Sequence, residues 1–174
     1  CHFIPFMLDW KGSLFTHGAG YFADVCVCRP KSRGRLRLTS ADPNVAPDID
    51  LGLFQDPDDV EILLAGLKRL RVLMNKAEFG KYRAPEAFPG PEVSTDEALR
   101  RHIRDRGATA YHPVGTLRMG EGTAPVTPRL SVAGVSGLWV ADASVMPAVT
   151  SANTNAPSMM IGYRAAEFIS EDAG

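Results

Sequence analysis

From Thr109 to Asn155 the sequence is dense in glycine, small residues and turn formers. A stretch of that texture cannot be buried as continuous helix or sheet, so it must be laid over a scaffold built elsewhere. Such segments are where binding and catalytic groups sit.

The runs HFIPFML and YFADVCVC are rich in Phe, Val and Cys and are separated by the stretch from Gly12 to Gly20, which predicts two strands joined by a loop. In RPKSRGRLRLTSADP, Leu36 and Leu38 alternate with Arg35 and Arg37 ahead of the turn residues Ser40, Asp42 and Pro43. That alternation predicts an antiparallel strand with one face wet. Asp56 is an N-cap candidate, followed by Pro57 at the first helical position and by Asp58 and Asp59 where the helix dipole favours acids. Val60, Leu63, Leu64, Leu67 and Leu70 then repeat at helical spacing, and Lys68, Arg69 and Arg71 are read as its solvated face. Three prolines between Ala84 and Val93 predict an irregular loop. Ser94 and Glu97 form a capping-box pattern for a second helix carrying Ala98, Leu99, His102 and Ile103. His102 is read as an ordinary surface or half-buried histidine. After the glycine-rich stretch begins, RLSV and GLWVAD read as strands flanking a turn from Gly134 to Gly137, and a last helix runs from about Pro157 to Ile169 with Asn155 as its N-cap.

Composition excludes several function classes. A net charge of -1, with 22% charged and 45% hydrophobic residues in 174, gives no electrostatic reason to expect nucleic acid or an anionic membrane as partner. A small molecule is the expected partner. No apolar run approaches the ~20 residues needed to cross a bilayer, and no signal peptide is recognisable, so a soluble cytoplasmic protein is expected. Cys1, Cys26 and Cys28 do not form a disulfide framework and are read as buried thiols of a reducing compartment. No group of Cys, His and carboxylates has structural zinc spacing, and no metal site is expected. The start at Cys1 rather than a methionine points to a fragment of a longer protein.

Two segments carry candidate chemistry. In AYHPVGTLRMG, His112 precedes a proline and is thereby biased to extended backbone, while Gly115 and Gly120 let another group approach closely. A neutral imidazole is suited to taking a proton near neutral pH; the bland reading is a structural histidine. In LWVADASVMPAVTSANTNAPSMMIGYRAA, Asp142, Ala143 and Ser144 follow a strand, and Asn153 and Asn155 lead into the last helix, whose N-terminus would stabilise an anion. The bland reading is that Ser151, Asn153 and Asn155 only cap and turn.

Together these segments resemble the C-terminal signature of the glucose-methanol-choline oxidoreductases, and RPKSRGRLRLTSADPNVAPDID is similar to the strand and turn that open that region of the family. The resemblance covers roughly Arg29 to Ile169. It implies an α+β fold in which an antiparallel sheet flanked by helices forms the substrate-binding lobe over residues 1–130. Residues 131–174 would return to the flavin-binding lobe with a strand and helix. It implies FAD as cofactor and oxidation of a primary alcohol, choline among the candidates, with hydride passing to flavin N5. His112 would take the alcohol proton and Asn153 would hydrogen-bond the substrate oxygen. Asp142, Ala143, Asn155 and Pro157 would match positions at the flavin. Phe3, Phe6 and Trp10 are candidates to line a substrate pocket, with a core-strand role as the alternative for the two phenylalanines.

No GxGxxG follows an early strand, so the N-terminal part that grips FAD is expected to be a separate, missing partner of the same enzyme. The fragment alone is expected to be inactive, and peripheral membrane association of the whole enzyme is left open. A stand-alone binding or structural domain of the same fold is the alternative. A Ser144, His112 and Asp142 hydrolase is disfavoured because no GxSxG elbow surrounds the serine.

Overall fold

The computed structural model describes residues 2–5 and 20–173. Cys1, Phe6, Trp10 and most of the expected loop from Gly12 to Gly20 lie outside the described residues. Among the described residues the fold is α+β, with antiparallel strand pairs and three α-helices. Two compact units form: the described residues of 1–27 with Asp56–Ala108, and Cys28–Gln55 with the described residues of 109–174. Among the described residues no helix is long and apolar enough to cross a membrane.

In the first unit, β1 (His2–Ile4) pairs antiparallel with β2 (Phe22–Asp24). The second strand is much shorter than YFADVCVC predicts. Because it ends at Asp24, Cys26 and Cys28 are not strand residues, and neither forms a disulfide among the described residues. The expected burial of these thiols is therefore corrected: Cys26 is half-buried and Cys28 exposed. Phe3 is also no core residue, being 53% exposed with its ring 5.4 Å from that of Tyr21. Strand pairing brings His2 to Asp24 and Cys26, from which it is distant in sequence. The His2 amide donates to Asp24 Oδ1 at 3.0 Å, His2 Nδ1 lies 2.9 Å from the same oxygen, and the Cys26 thiol donates to it at 3.7 Å.

Helix α1 (Pro57–Met74) starts where the sequence predicts, with the Asp56 carboxylate accepting from the Asp58 amide. Val60, Leu64 and Leu70 are buried along one face, against α2 (Asp96–Arg106), which buries Leu99 and Ile103. Gly66 belongs to this packing, because a Cβ there would stand 2.4 Å from Val25 Cγ1 after β2. A helix-interior glycine costs about 0.5–1 kcal/mol relative to alanine, and here the close approach requires it. Arg71 departs from the expected solvated face. It is 21% exposed and clamps the proline-rich loop, donating to the carbonyls of Val93 and Gly90 and to Glu86. The cap of α2 is Thr95, accepting from the Ala98 amide, not Ser94. The Ser94 amide is tied back to the Glu92 carbonyl, which moves the helix start on by one residue and leaves Glu97 to pair with Arg101.

His102 on α2 meets Phe88 edge-on at 4.8 Å. Burial first, then the charges of Arg106 and Arg71, hold its pKa below the usual value, against the opposing pull of Asp105 and Glu86. A histidine whose folded pKa is depressed binds more protons when unfolded, so its contribution is complete above about pH 6.5 and declines as pH falls through the folded value. The urea midpoint should therefore fall between about pH 7 and pH 5, and His102→Gln should flatten that fall. Equal slopes for the two proteins would show that His102 does not contribute.

In the second unit, β3 (Arg35–Arg37) pairs antiparallel with β4 (Asp48–Asp50). The expected strand is present, but its wet-face alternation is not: Leu36 is 45% and Leu38 80% exposed. A two-stranded ribbon uncovered on both faces does not bury the alternating leucines. RLSV and GLWVAD also fail to form strands and leave only single bridges, Ser131 with Trp139 and Val132 with Val126. The positive φ angles of Leu130 (67°), Gly134 (77°) and Gly137 (70°) bend the chain too often for a ladder. The core here joins Val126, Leu130, Val145 and Met146 to Ile161 and Ala165 of α3 (Asn155–Ala173).

Candidate functional site

The candidate residues hang on that core. The segment after His112 runs beside the segment after Asp142, with the Leu117 amide donating to the Ser144 carbonyl at 3.1 Å and the Met119 amide to the Val145 carbonyl at 2.8 Å. Gly115 takes φ 88°, with its Cβ position 3.3 Å from the Met146 carbonyl oxygen, so a side chain there would be both strained and crowded. Tyr111, directly before His112, also has a positive φ of 63°, held by its amide donating to Thr109 Oγ1 at 3.0 Å. A left-handed backbone costs a bulky residue about 1–2 kcal/mol, and strain of this kind gathers where a neighbouring group must be aimed.

His112 is half-buried, and its Nδ1 lies 2.9 Å from Thr154 Oγ1 and 3.4 Å from the Thr154 amide, which donates to it. Across 42 residues of sequence, this contact puts the histidine segment against the loop carrying Asn153 and Asn155. Among the described residues His112 Nε2 has no hydrogen-bond partner. Thr154 is 7% exposed, the one buried polar side chain of this loop. Its carbonyl accepts the first bond of α3, from the Ser158 amide at 3.0 Å, and a second from the Ser158 hydroxyl at 2.7 Å. The cap position is thus Thr154, and Asn155, expected as N-cap, is the first helical residue. Pro157 stands in the first turn as expected. Thr154 was not legible as a site residue, because between two asparagines it reads as one more turn former.

Asn153 and Asn155 are exposed. The Arg29 guanidinium donates to Ser151 Oγ at 2.8 Å and ties the same loop to the start of the 28–55 segment. Asp142 is exposed and caps the short 3-10 turn Ala143–Val145, its Oδ1 accepting from the Ser144 amide at 2.8 Å. It therefore ends no strand. Neither Asp142 nor Ser144 is hydrogen-bonded to His112, so no hydrolase triad is assembled.

The residues present suit a flavin. The 19-residue α3 offers the positive end of its dipole beside the exposed amides of Asn153 and Asn155, a donor set matched to an electron-rich ring system. Asp142 spends Oδ1 on its turn and is otherwise able to meet a ligand hydroxyl. Trp139 Nε1 and Ser144 Oγ are buried without a hydrogen-bond partner among the described residues.

Known proteins are similar to this chain in sequence and in fold. The family model described as GMC oxidoreductase matches residues 30–162. An alcohol dehydrogenase (acceptor) of Pseudomonas putida is 43% identical over 169 residues, covering 97% of this chain and 31% of the relative. An oxygen-dependent choline dehydrogenase of Chromohalobacter salexigens is 38% identical over 169 residues, covering 97% and 30%. Among solved structures, pyridoxine 4-oxidase from Mesorbium loti superposes with a TM-score of 0.76 at 28% identity, over 80% of this chain and 28% of that one. An FAD-dependent oxidoreductase from Chaetomium thermophilum gives 0.78 at 28% identity, over 84% and 26%. The chain spans about a third of the length of the curated relatives it matches.

Proposed function

The chain belongs to the GMC oxidoreductase family, and from that premise we propose that it supplies the catalytic side chains of an FAD-dependent oxidoreductase that converts a primary alcohol to an aldehyde. The observation that carries the reading is the bond between His112 Nδ1 and Thr154, because it joins the two candidate segments and leaves Nε2 for a substrate. The names of the relatives, an alcohol dehydrogenase and choline dehydrogenases, support the alcohol class, and choline is one candidate within it.

FAD would be held by Asp142, Ala143, Asn155 and Pro157 together with residues of an N-terminal FAD-binding part. Bound there, FAD supplies the acceptor for the two electrons that leave the carbinol carbon as hydride. His112 Nε2 takes the hydroxyl proton, since hydride leaves an alkoxide far more readily than an alcohol. The Asn153 amide donates to the developing alkoxide and adds no second cation that would oppose protonation of His112. The N-terminus of α3 favours negative charge placed against it. Residues 1–130 belong to the substrate-binding lobe in this account, and residues 131–174 to the flavin lobe. The exposed Tyr111, Met159, Met160 and Tyr163 fit a surface that another part of the enzyme covers. Alone, the chain holds FAD weakly and does not turn over, because the nucleotide-binding glycine motif is not in this sequence.

The test uses the flavin-loaded protein that carries this chain. Under anaerobic conditions a panel of primary alcohols should bleach its flavin absorbance, and admitting air then separates oxygen from other acceptors. No bleaching by any alcohol, with full flavin occupancy, would contradict the alcohol-oxidising reading, and a protein carrying this chain that takes up no flavin would favour the stand-alone binding or structural domain.

A further inference from the structure

Thr154 has a hydroxyl and an amide on the same histidine nitrogen, and they ask for opposite things. An amide only donates, so its 3.4 Å approach to His112 Nδ1 requires a lone pair there and drives the proton to Nε2. A hydroxyl either donates or accepts, and at 2.9 Å it is the closer of the two. Which ring nitrogen of a neutral histidine carries the proton is set by the bond the other nitrogen makes. A base acting through Nε2 needs the proton on Nδ1, which only the hydroxyl can accept.

We propose that Thr154 is a positioning residue whose hydroxyl accepts the Nδ1 proton of His112, overriding the adjacent amide and leaving Nε2 unprotonated to act as base. This rests on the reading of His112 as the base. The position of the hydroxyl supports the assignment. Thr154 is 7% exposed, so its hydroxyl is itself largely shielded from water. The Thr154 carbonyl is already occupied by the Ser158 amide and hydroxyl, so the threonine serves the helix through its backbone and keeps Oγ1 for the ring. After proton transfer the same oxygen goes on accepting from Nδ1 of the imidazolium, so no side chain has to rearrange during the step. Being neutral, the hydroxyl orients the ring without adding a charge to it. Tyr111, directly before His112, has a positive φ, and its amide is held by Thr109 Oγ1.

The test is Thr154→Val, with Thr154→Ser as the conservative partner and His112→Ala as the reference, all in the flavin-loaded protein. Valine keeps the amide and removes the hydroxyl, so the amide alone then selects the tautomer. Two-bond proton–nitrogen spectra of selectively labelled histidines should show His112 as the Nδ1–H form in the wild type and in Thr154→Ser, and as the Nε2–H form in Thr154→Val. The flavin-reduction rate at saturating alcohol should drop by roughly 10- to 100-fold in Thr154→Val with KM little changed, and Thr154→Ser should restore it. The same tautomer in wild type and Thr154→Val would overturn the assignment, as would equal loss in the Ser and Val variants. The functional reading fails separately: unchanged turnover in His112→Ala sinks both ideas. An inactive His112→Ala beside an unaffected Thr154→Val sinks only this one.

Discussion

Replacing His112 by alanine in the flavin-loaded enzyme should lower turnover by about 10²- to 10⁴-fold, the usual range for a positioned general base, while leaving flavin content at the wild-type level. The separation of the two effects follows from geometry. Nδ1 is spent on Thr154, and on the proposed reading Nε2 meets the alcohol, so loss of the ring should remove the base and not a cofactor contact. The substitution also strands the Thr154 hydroxyl in a buried position, which costs about 1–3 kcal/mol and should lower the melting temperature modestly. A variant that melts lower and loses flavin in proportion to its activity would instead describe a structural histidine. Flavin absorbance per protein, measured beside turnover, distinguishes the outcomes.

Asn153→Ala should slow flavin reduction by about 10²- to 10³-fold, the loss expected when one donor to a developing oxyanion is removed. Two features separate this from a cap effect. The helix begins at Asn155, and its first bond is accepted by the Thr154 carbonyl, so Asn153 lies outside the helix. It is also exposed, where a group that meets a ligand must be. Flavin occupancy should stay near that of the wild type. A loss of flavin as large as the loss of rate would move Asn153 from the substrate to the support of the cofactor.

How much of this was legible in the sequence differs by element. The start of α1 was readable because Asp56, Pro57, Asp58 and Asp59 act on the backbone locally, and no tertiary contact is needed to place them. The start of α2 lies one residue beyond the one the pattern predicts, because Ser94 and Thr95 are chemically equivalent caps and the choice falls to a turn from Glu92 that no pattern announces. The expected strands around Gly134 shrank to bridges because strand propensity yields to packing and to repeated positive φ angles. Arg71 looked like a surface charge until the carbonyls of Gly90 and Val93 were folded onto it. At the site, His112, Asn153 and Asn155 stood out by type and by their setting among small residues. Thr154 did not, because its importance lies in a contact spanning 42 residues. The trio His2, Asp24 and Cys26 was hidden for the same reason, since pairing of β1 with β2 assembles it.

The central claim is that His112 takes the alcohol proton in the step that reduces the flavin, and rapid anaerobic mixing measures that step alone. Wild type and His112→Ala, each at full flavin occupancy, would be mixed with an alcohol that bleaches the wild-type flavin, and absorbance followed through a single turnover. Complete bleaching is expected in both proteins, with the variant slower by about 10²- to 10⁴-fold. Bleaching of the variant at the wild-type rate would contradict it.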